Sequence, residues 1–292
     1  MIKLAHISDI HLSNVPQTLL GMWTGKRFLG GLNMLIFRRK ELRNSYFPRL
    51  IQEIQKQQPD LLLVTGDMTT TALPKEFSQA HEIMLPFINE NKLRSIPGNH
   101  DVYTWLSEKS RRYESYFSDC HGESLEDSSY PHVTLLKDEI AIIALNTCVP
   151  TGLSGSWGKI DDEQMLRFEQ ALKKYATHFR VILLHHFLQD KHGSVGLPRR
   201  GLRSREKLID IIKKHGAELI LHGHEHACYH YEISGLNKNV PVFCVGPATR
   251  HSTIAKKQGG YQMYEIKKKE LHKVDRFHFD PTQGIFHQVN IL

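Results

Sequence analysis

The sequence predicts an α/β fold on two observations: short apolar strands alternate with amphipathic helices along most of the chain, and turn-forming residues close each strand. The apolar runs at 61–65 and 181–184 do not alternate with polar residues, which is typical of strands covered on both faces. The segment 41–57 carries apolar residues at helical spacing and is followed by Pro59, which ends the predicted helix. The chain has 292 residues, of which 40% are hydrophobic, so it is long enough to bury a sizeable core.

Helices and strands alternate up to about residue 221, and strands alone follow. The predicted strands of the first part are 3–8, 61–65, 93–96, 140–145, 181–184 and 218–221, and its predicted helices are 41–57, 75–91, 161–177 and 203–215. The later predicted strands are 229–234, 240–246, 261–266 and 271–279. We find no internal repeat and no linker-like composition, and we therefore predict a single domain over residues 1–292. It carries an insertion at about 12–40, longer than an ordinary strand-to-helix connection, and a β-rich C-terminal part at about 227–292.

Composition and charge narrow the class of protein. No apolar stretch approaches the ~20 residues needed to cross a bilayer, and polar residues interrupt the N-terminal segment, so we expect a cytoplasmic protein without a secretory signal. The four cysteines form no CxxC pair and are expected to be free thiols. A formal net charge of +7 favours anionic partners: phosphates, nucleic acid or an acidic membrane surface.

Potential metal ligands follow the predicted strands at the points where the strands end. The motifs are D-x-H at 9–11, G-D at 66–67, G-N-H-D at 98–101, H-H at 185–186 and G-H-E-H at 223–226. Because ligand sites of α/β sheets assemble beyond the carboxyl ends of the strands, we expect these side chains to converge. Mixed carboxylate, imidazole and amide ligands suit divalent transition metals such as Mn, Fe or Zn better than Ca or Mg.

The spacing within the first and last motifs also indicates how pairs of ligands are arranged. Asp9 and His11 are two residues apart, as are His224 and His226. In an extended chain such pairs point the same way, and we expect each pair to reach one ion together. A glycine precedes a candidate ligand in three of the motifs, and we expect it to let the backbone turn sharply and approach an ion closely.

In this order, the five motifs resemble those of the calcineurin-like metallophosphoesterase superfamily, over about residues 4–250. The resemblance implies a four-layered αββα sandwich with mixed central sheets and two metal ions at one rim. It implies that one ion is bound by Asp9, His11, Asp67 and His226, and the other by Asp67, Asn99, His185 and His224, so that Asp67 bridges. Phe187 stands where members of the superfamily often have a proline after the two histidines.

The resemblance also implies the chemistry. His100 faces the substrate, and Asp101 lies behind it to fix its tautomer and stabilise its charged form. Two divalent ions outweigh the carboxylates and attract a phosphate anion, and they supply a hydroxide that attacks phosphorus directly. We therefore predict a metal-dependent phosphohydrolase that cleaves a phosphodiester, phosphomonoester or pyrophosphate bond, with a small-molecule or nucleotide substrate favoured.

The segment 26–43 leaves alternatives open. It holds six basic residues against one acidic residue, and the basic residues flank an apolar run. Such a segment suits an anionic membrane surface, which suggests a peripheral membrane pyrophosphohydrolase acting on a lipid-linked nucleotide. It equally suits a cap over the catalytic rim or a contact within a homo-oligomer. A non-catalytic metal-bound interaction scaffold is the alternative from another class of function.

Other charged and histidine residues are assigned more loosely. A second basic patch at 199–207 guides a polyanionic substrate or is a solvated loop. A nucleic acid substrate is disfavoured because aromatic residues do not alternate with cations near the motifs. His186, His222 and His251 contact substrate phosphate or belong to the surrounding core. His121 lacks motif context and is assigned an ordinary surface or loop role.

Overall fold

The chain folds, in a computed structural model, into two β-sheets with helices packed on them. The structure describes residues 1–13, 44–126, 129–152, 155–195 and 198–292. The predicted insertion at 12–40 lies outside the described residues from position 14 onwards. The basic and apolar segment 26–43 lies outside them entirely.

The helices and strands follow the predicted alternation. The helices of the described part of the chain are α1 Phe47–Lys56, α2 Pro74–Asn89, α3 Trp105–Lys109, α4 Arg112–Phe117, α5 Asp162–Lys174 and α6 Arg205–His215. Its strands are β1 Ile2–Ile7, β2 Leu61–Val64, β3 Leu93–Ser95, β4 Glu123–Ser124, β5 His132–Leu136, β6 Ile140–Ala144, β7 Phe179–Leu183, β8 Leu219–His222, β9 Tyr229–Ser234, β10 Asn239–Cys244, β11 Gly260–Lys267, β12 Glu270–Asp280 and β13 Ile285–Asn290. Within the described residues we find no helix with the length and apolarity required to cross a membrane.

Both sheets are mixed. One has the strand order β13-β12-β11-β1-β2-β3, and the other has the order β4-β5-β6-β7-β8-β10-β9. Strands β1, β2 and β3 run parallel, with Ala5 opposite Leu62 and Leu62 opposite Leu93. Strands β6, β7, β8 and β10 of the second sheet are also parallel. The strands that carry the predicted motifs are therefore the parallel strands of the two sheets.

Three buried apolar clusters define the layers. The central cluster joins the facing sides of the two sheets, with Leu4 and Leu63 from the first sheet and Val181 from the second. A second cluster packs α1, α2 and α4 against the outer face of the first sheet. A third packs α5 and α6 against the outer face of the second sheet. The predicted four-layered αββα sandwich with mixed central sheets is therefore confirmed.

A few elements were not predicted, and each lacks the expected pattern. Helices α3 and α4 have five and six residues, too few to show helical periodicity. Strand β13 is an edge strand that pairs only with β12, and it is largely exposed, so its sequence holds no continuous apolar run. Helix α1 begins at Phe47, later than predicted, after a short 3₁₀ turn at Asn44–Tyr46.

Candidate metal centre

The predicted ligands meet at one edge of the sandwich, where the parallel strands of both sheets end. Asp9 and His11 follow β1, Asp67 follows β2, and Asn99 follows β3. The second sheet supplies the remaining predicted ligands from the loops after β7 and β8, namely His185, His224 and His226. The convergence follows from the topology, because the ends of adjacent parallel strands lie side by side at the same edge.

Four of these residues form a first cluster. One potential ligand atom from each of Asp9, His11, Asp67 and His226 lies within 4.8 Å of the others. His11 Nε2 lies 2.9 Å from His226 Nε2, which in turn lies 3.2 Å from Asp9 Oδ1. Asp67 Oδ2 lies 3.6 Å from His11 Nε2. Only His226 is partly exposed, so the cluster opens to solvent on its side.

A second cluster lies against the first. Asn99 Oδ1 is 2.8 Å from His224 Nδ1 and 3.1 Å from His185 Nε2, and the two ring nitrogens are 3.2 Å apart. Asp67 Oδ1 lies 3.5 Å from His185 Nε2. Asp67 thus has Oδ2 near the first cluster and Oδ1 near the second, which is the placement of a ligand shared by two ions.

The chemistry of the donor atoms fits divalent transition metals. Ligand bonds of about 2.0–2.2 Å place neighbouring donor atoms about 3 Å apart, as the second cluster has them. His185 Nδ1 lies 2.7 Å from the Thr65 carbonyl, which fixes the proton on Nδ1 and directs the Nε2 lone pair into the cluster. Burial lowers the pKa of His185 and holds that of His224 well below its ordinary value, so both rings are neutral, as metal ligands must be.

Asp9, one of the two acidic residues of the first cluster, is ionised. Burial disfavours the charged form of Asp9, but the neighbouring His226 outweighs that effect and holds the pKa of Asp9 below its ordinary value. Both Asp9 oxygens also accept from the His224 backbone amide, with Oδ2 at 2.9 Å. The carboxylate therefore joins the loops after β1 and β8 as well as supplying charge.

The backbone of the ligand loops differs from the expected extended chain. Five predicted ligands have positive φ angles: Asp9 (52°), His11 (52°), Asp67 (54°), His224 (73°) and His226 (50°). This left-handed conformation costs roughly 1–2 kcal/mol for a residue with a Cβ. The extended backbone expected for the pairs Asp9/His11 and His224/His226 is therefore not observed. Asp9 and His11 do meet in the first cluster, whereas His226 lies in the first cluster and His224 in the second.

Hydrogen bonds and two glycines hold these loops in place. The Asp9 amide donates to the Gly66 carbonyl at 3.0 Å, and the His11 amide donates to the Asp67 carbonyl at 2.9 Å. A Cβ on Gly98 would clash with the Asp67 amide and carboxylate, and one on Gly223 would lie 2.6 Å from Asp9 Oδ2. The absence of a Cβ at Gly98 and Gly223 thus lets the ligand loops pack closely against one another, while the expected close approach of the backbone to an ion stays a prediction.

His100 lies at the edge of the first cluster and faces the pocket. Its backbone amide donates to Asp67 Oδ1 at 2.7 Å, and its ring stacks on Tyr103 with the centroids 5.2 Å apart. The ring Nδ1 lies 2.7 Å from the Thr70 carbonyl oxygen. A carbonyl only accepts, so Nδ1 carries the proton, and Nε2 is the nitrogen that can exchange a proton with a substrate.

Asp101 has a different place from the one expected. The Thr70 carbonyl, not Asp101, contacts the His100 ring nitrogen. Asp101 accepts four hydrogen bonds from the two loops: from the amides of Gly98 (2.9 Å), Met68 (3.2 Å) and Thr69 (2.9 Å), and from the Thr69 hydroxyl (2.9 Å). Burial raises the pKa of Asp101 to about 6 against the effect of these donors. Its position is that of a residue that joins the loops after β2 and β3.

The loosely assigned histidines do not join the clusters. His186 Nδ1 lies 2.8 Å from the Thr147 hydroxyl, and His222 Nδ1 lies 2.9 Å from the Gly223 carbonyl. Both rings are buried, and burial lowers the pKa of His222 to about 4. They form the neutral wall behind the centre.

A pocket of about 350 Å³ opens over the two clusters. Its described lining includes the predicted Asp67, Asn99, His100, His224 and His226, together with Ser156, Lys191, Arg200, Glu225, Arg250 and Lys257. Of the predicted basic patch 199–207, Arg200 alone is among these lining residues. Sequence reasoning missed the other cations, Lys191, Arg250 and Lys257, because they lie in two different loops and belong to no motif.

Other members of that patch have structural partners. Arg205 Nε donates to the Leu188 carbonyl, and Lys207 pairs with Asp162. The Arg203 guanidinium lies over the Trp157 ring, 3.5 Å from its centroid. These three cations therefore support the loop and the start of α6.

Comparison with known proteins agrees with the geometry. The sequence profile of the calcineurin-like phosphoesterase family matches residues 2–228. A protein of Arcobacter nitrofigilis named "Probable glycerophosphodiester phosphodiesterase" is 29% identical over 177 residues, which cover 59% of this chain and 58% of that protein. A "Probable cyclic nucleotide phosphodiesterase" of Rhodococcus erythropolis is 27% identical over 190 residues, covering 63% and 56%. The chain thus spans just over half the length of these two relatives.

Solved structures show the same fold at low sequence identity. A dimetal phosphatase from Danio rerio superposes with a TM-score of 0.63 at 9% identity, covering 99% of this chain and 98% of that one. The purple acid phosphatase from yellow lupin superposes with a TM-score of 0.56 at 12% identity, covering 99% of this chain and 53% of that one. The family profile spans most of the chain and includes all five motifs. The chain therefore belongs to the calcineurin-like phosphoesterase family, whose members hydrolyse phosphate esters with bound divalent metal ions.

Proposed function

We propose that this enzyme binds two divalent transition metal ions and hydrolyses a phosphodiester bond of a small-molecule or nucleotide substrate. The observation that carries the proposal is the position of Asp67, which has one carboxylate oxygen in each donor cluster. Asp9, His11 and His226 complete the first set of ligands. Asn99, His185 and His224 complete the second.

Bound divalent ions supply a hydroxide nucleophile at neutral pH and positive charge for the phosphate oxygens. The chain supplies the rest. Its neutral histidines and two carboxylates leave the loaded centre positively charged, so that it attracts a phosphate group. The loops that carry the donors are hydrogen-bonded to one another, which fixes their positions before substrate binds.

His100 has the role of proton donor to the leaving oxygen. The Thr70 carbonyl holds the proton on Nδ1 and stabilises the doubly protonated ring, whose Nε2–H then faces the pocket. Once it has given up this proton, the ring retains the same tautomer and orientation. No residue of the chain needs to form a covalent bond to phosphorus.

Diester substrates are favoured over monoesters by the names of the two bacterial relatives, both of which are phosphodiesterases. Manganese, iron and zinc all suit the mixed nitrogen and oxygen donors. The test is to deplete the purified protein of metal, restore Mn²⁺, Fe²⁺ or Zn²⁺, and measure hydrolysis of bis(p-nitrophenyl) phosphate and p-nitrophenyl phosphate. We expect metal-dependent turnover with a higher kcat/KM for the diester.

The same experiment addresses the alternatives. Absence of turnover on either ester and on a nucleotide panel, in protein that retains its metal, would favour the interaction scaffold. A preference for a lipid-linked diphosphate, with sedimentation on anionic liposomes that is lost on deleting residues 22–40, would favour the membrane pyrophosphohydrolase. A cytoplasmic location without lipid binding is the expectation under the main proposal.

A further inference from the structure

Four cations line the pocket beside the metal centre. They come from two loops: Lys191 and Arg200 from the loop after β7, and Arg250 and Lys257 from the loop after β10. Among the described lining residues, Glu225 is the one carboxylate that is not a predicted metal ligand. Against Asp67 and Glu225, the four cations leave the described lining with an excess of two positive charges before any metal is counted.

The cations of the first loop are held by a buried acid. Glu225 lies between two predicted ligands, and its side chain is only 1% exposed. It pairs with Arg200 Nη2 at 2.6 Å and with Lys191 Nζ at 3.6 Å. A single carboxylate needs one cation for charge balance, so its neutralisation does not explain both of them. Glu225 instead fixes two flexible side chains at the pocket.

The second loop is attached directly to the metal-binding loop after β1. The Ala248 amide donates to the Ser8 carbonyl at 2.9 Å, and the Thr249 hydroxyl donates to the Ile10 carbonyl at 2.7 Å. Gly259 donates to the Arg250 carbonyl at 2.7 Å, which closes the loop on itself. The backbone of Arg250 is therefore positioned by the same chain that positions the first metal ligands.

These observations assign a second role to the pocket. The metal centre alone provides positive charge for the phosphate that is cleaved. We propose that the four cations form an anion subsite that binds a second phosphate group, so that the enzyme favours substrates carrying two linked phosphates over those carrying one. The inference rests on the proposed function and names the substrate class of that site. A pocket of about 350 Å³ has room for a diphosphate and part of its substituent.

The experiment uses two competitive inhibitors of bis(p-nitrophenyl) phosphate hydrolysis by the metal-loaded enzyme. ADP-glucose carries two linked phosphates, and AMP carries one, while both have a similar total charge at pH 7.5. The variants are Arg250→Gln and Lys257→Gln, which leave the Glu225 pairs intact. Arg199→Gln is the matched control, because Arg199 is an exposed cation next to Arg200 that is not among the lining residues.

We expect Arg250→Gln and Lys257→Gln each to raise the inhibition constant of ADP-glucose about tenfold, the usual effect of losing a hydrogen bond to a charged group. The constant for AMP should change less than twofold, and Arg199→Gln should change neither. Arg200→Gln, which acts on the other loop, should behave like Arg250→Gln. Equal changes for both inhibitors, or no change for ADP-glucose, would overturn the proposal.

The outcome is separable from that of the proposed function. If the wild-type enzyme hydrolyses no ester, the hydrolytic proposal fails, and ADP-glucose and AMP binding are then measured by calorimetry on the same metal-loaded proteins. Weaker ADP-glucose binding in the two pocket variants still supports the subsite. Equal binding by wild type and variants overturns it. If hydrolysis is intact and the ADP-glucose constants do not move, the subsite alone is wrong.

Discussion

Two groups of histidines in the described chain differ in what surrounds their rings: those of the metal centre, and the pair His121 and His132. At the metal centre, ring nitrogens converge with carboxylate and amide oxygens, as at His11, His226 and Asp9. At the edge of the second sheet, the His121 and His132 rings stack with centroids 4.6 Å apart, and Tyr130 packs edge-on against His132. His121 and His132 therefore meet through their ring faces, and the His121 ring Nε2 lies 3.4 Å from the Tyr130 hydroxyl oxygen.

Burial and low basicity do not distinguish the two groups of histidines. Burial lowers the pKa of His121 to about 3 and that of His132 to about 4, just as it lowers that of His185 at the metal centre. Within the described chain, neither His121 nor His132 has a carboxylate among its hydrogen-bond or ion-pair partners. Neither the number of histidines nor a lowered histidine pKa therefore identifies a metal site. A metal site is identified by donor atoms that converge around a shared carboxylate.

The largest effect is expected for Asp67→Ala, which removes one carboxylate oxygen from each donor cluster. Metal content should fall from two ions per chain to one or none, and kcat for bis(p-nitrophenyl) phosphate should fall at least about 10³-fold. Plasma emission spectroscopy and steady-state kinetics measure the two quantities. Asp210→Ala, at an exposed carboxylate on α6, is the control and should change neither. Full activity of Asp67→Ala would show that a shared carboxylate is not what distinguishes the histidines of the metal centre from His121 and His132.

Asn99→Ala tests whether the centre has two separable halves. Asn99 Oδ1 contacts His185 and His224, the two histidines of the second donor cluster at the metal centre, and Asn99 is not one of the four residues of the first donor cluster. We expect the variant to keep one tightly bound ion and lose the other, with kcat falling about 10²-fold because one ion cannot bind both sides of the phosphate. Loss of both ions, or retention of both, would show that the clusters are not independent.

His100→Gln separates metal binding from proton transfer. His100 faces the pocket but is not among the four residues of the first cluster. Both ions should be retained, while kcat falls about 10²-fold for substrates with poorly acidic leaving alcohols, the usual contribution of a general acid. The p-nitrophenolate leaving group needs no proton, so its rate should fall much less. An equal loss on both kinds of leaving group would argue against the assigned role.

Much of the fold and the composition of the centre could be predicted from the sequence. The signals were local: a buried apolar run such as 61–65 followed directly by Gly66 and Asp67 gives both a strand and a ligand. Parallel topology then brings such strand ends together. The resemblance to a known superfamily added the assignment of ligands to two ions, which these local patterns do not contain.

What could not be predicted depends on contacts between distant parts of the chain. The left-handed φ of Asp9 is stabilised by hydrogen bonds to loops far along the sequence, and no local pattern encodes it. The Thr70 carbonyl takes the place expected for Asp101, because the fold brings it to the His100 ring from another loop. His121 was assigned an ordinary surface or loop role. It does lie in a loop, but its half-buried ring also belongs to an aromatic stack whose members are scattered in sequence, which no local pattern indicates.

The smallest effect is expected for the pair His121 and His132, and it concerns only the free energy of unfolding. In the unfolded chain His132 has a pKa near 6.5, whereas in the folded chain its pKa is about 4. Between these values the unfolded state binds more protons, so the free energy of unfolding is greatest above pH 6.5 and falls as the pH drops toward 4. The slope for one histidine is at most about 1.4 kcal/mol per pH unit.

His132→Phe removes this titration and keeps an aromatic ring in the stack. His132 Nδ1 is buried without a hydrogen-bond partner in the described chain, so phenylalanine leaves no donor on that side unpaired. Urea unfolding of metal-depleted wild type and variant at pH 7, 5.5 and 4.5 should give a shallower loss of stability in the variant. Metal content and kcat of the loaded variant should stay within twofold of wild type. If the stability of wild type and variant depended on pH in the same way, His132 would take up its proton as readily in the folded chain as in the unfolded chain. The lowered pKa that His132 shares with His185 would then be wrong.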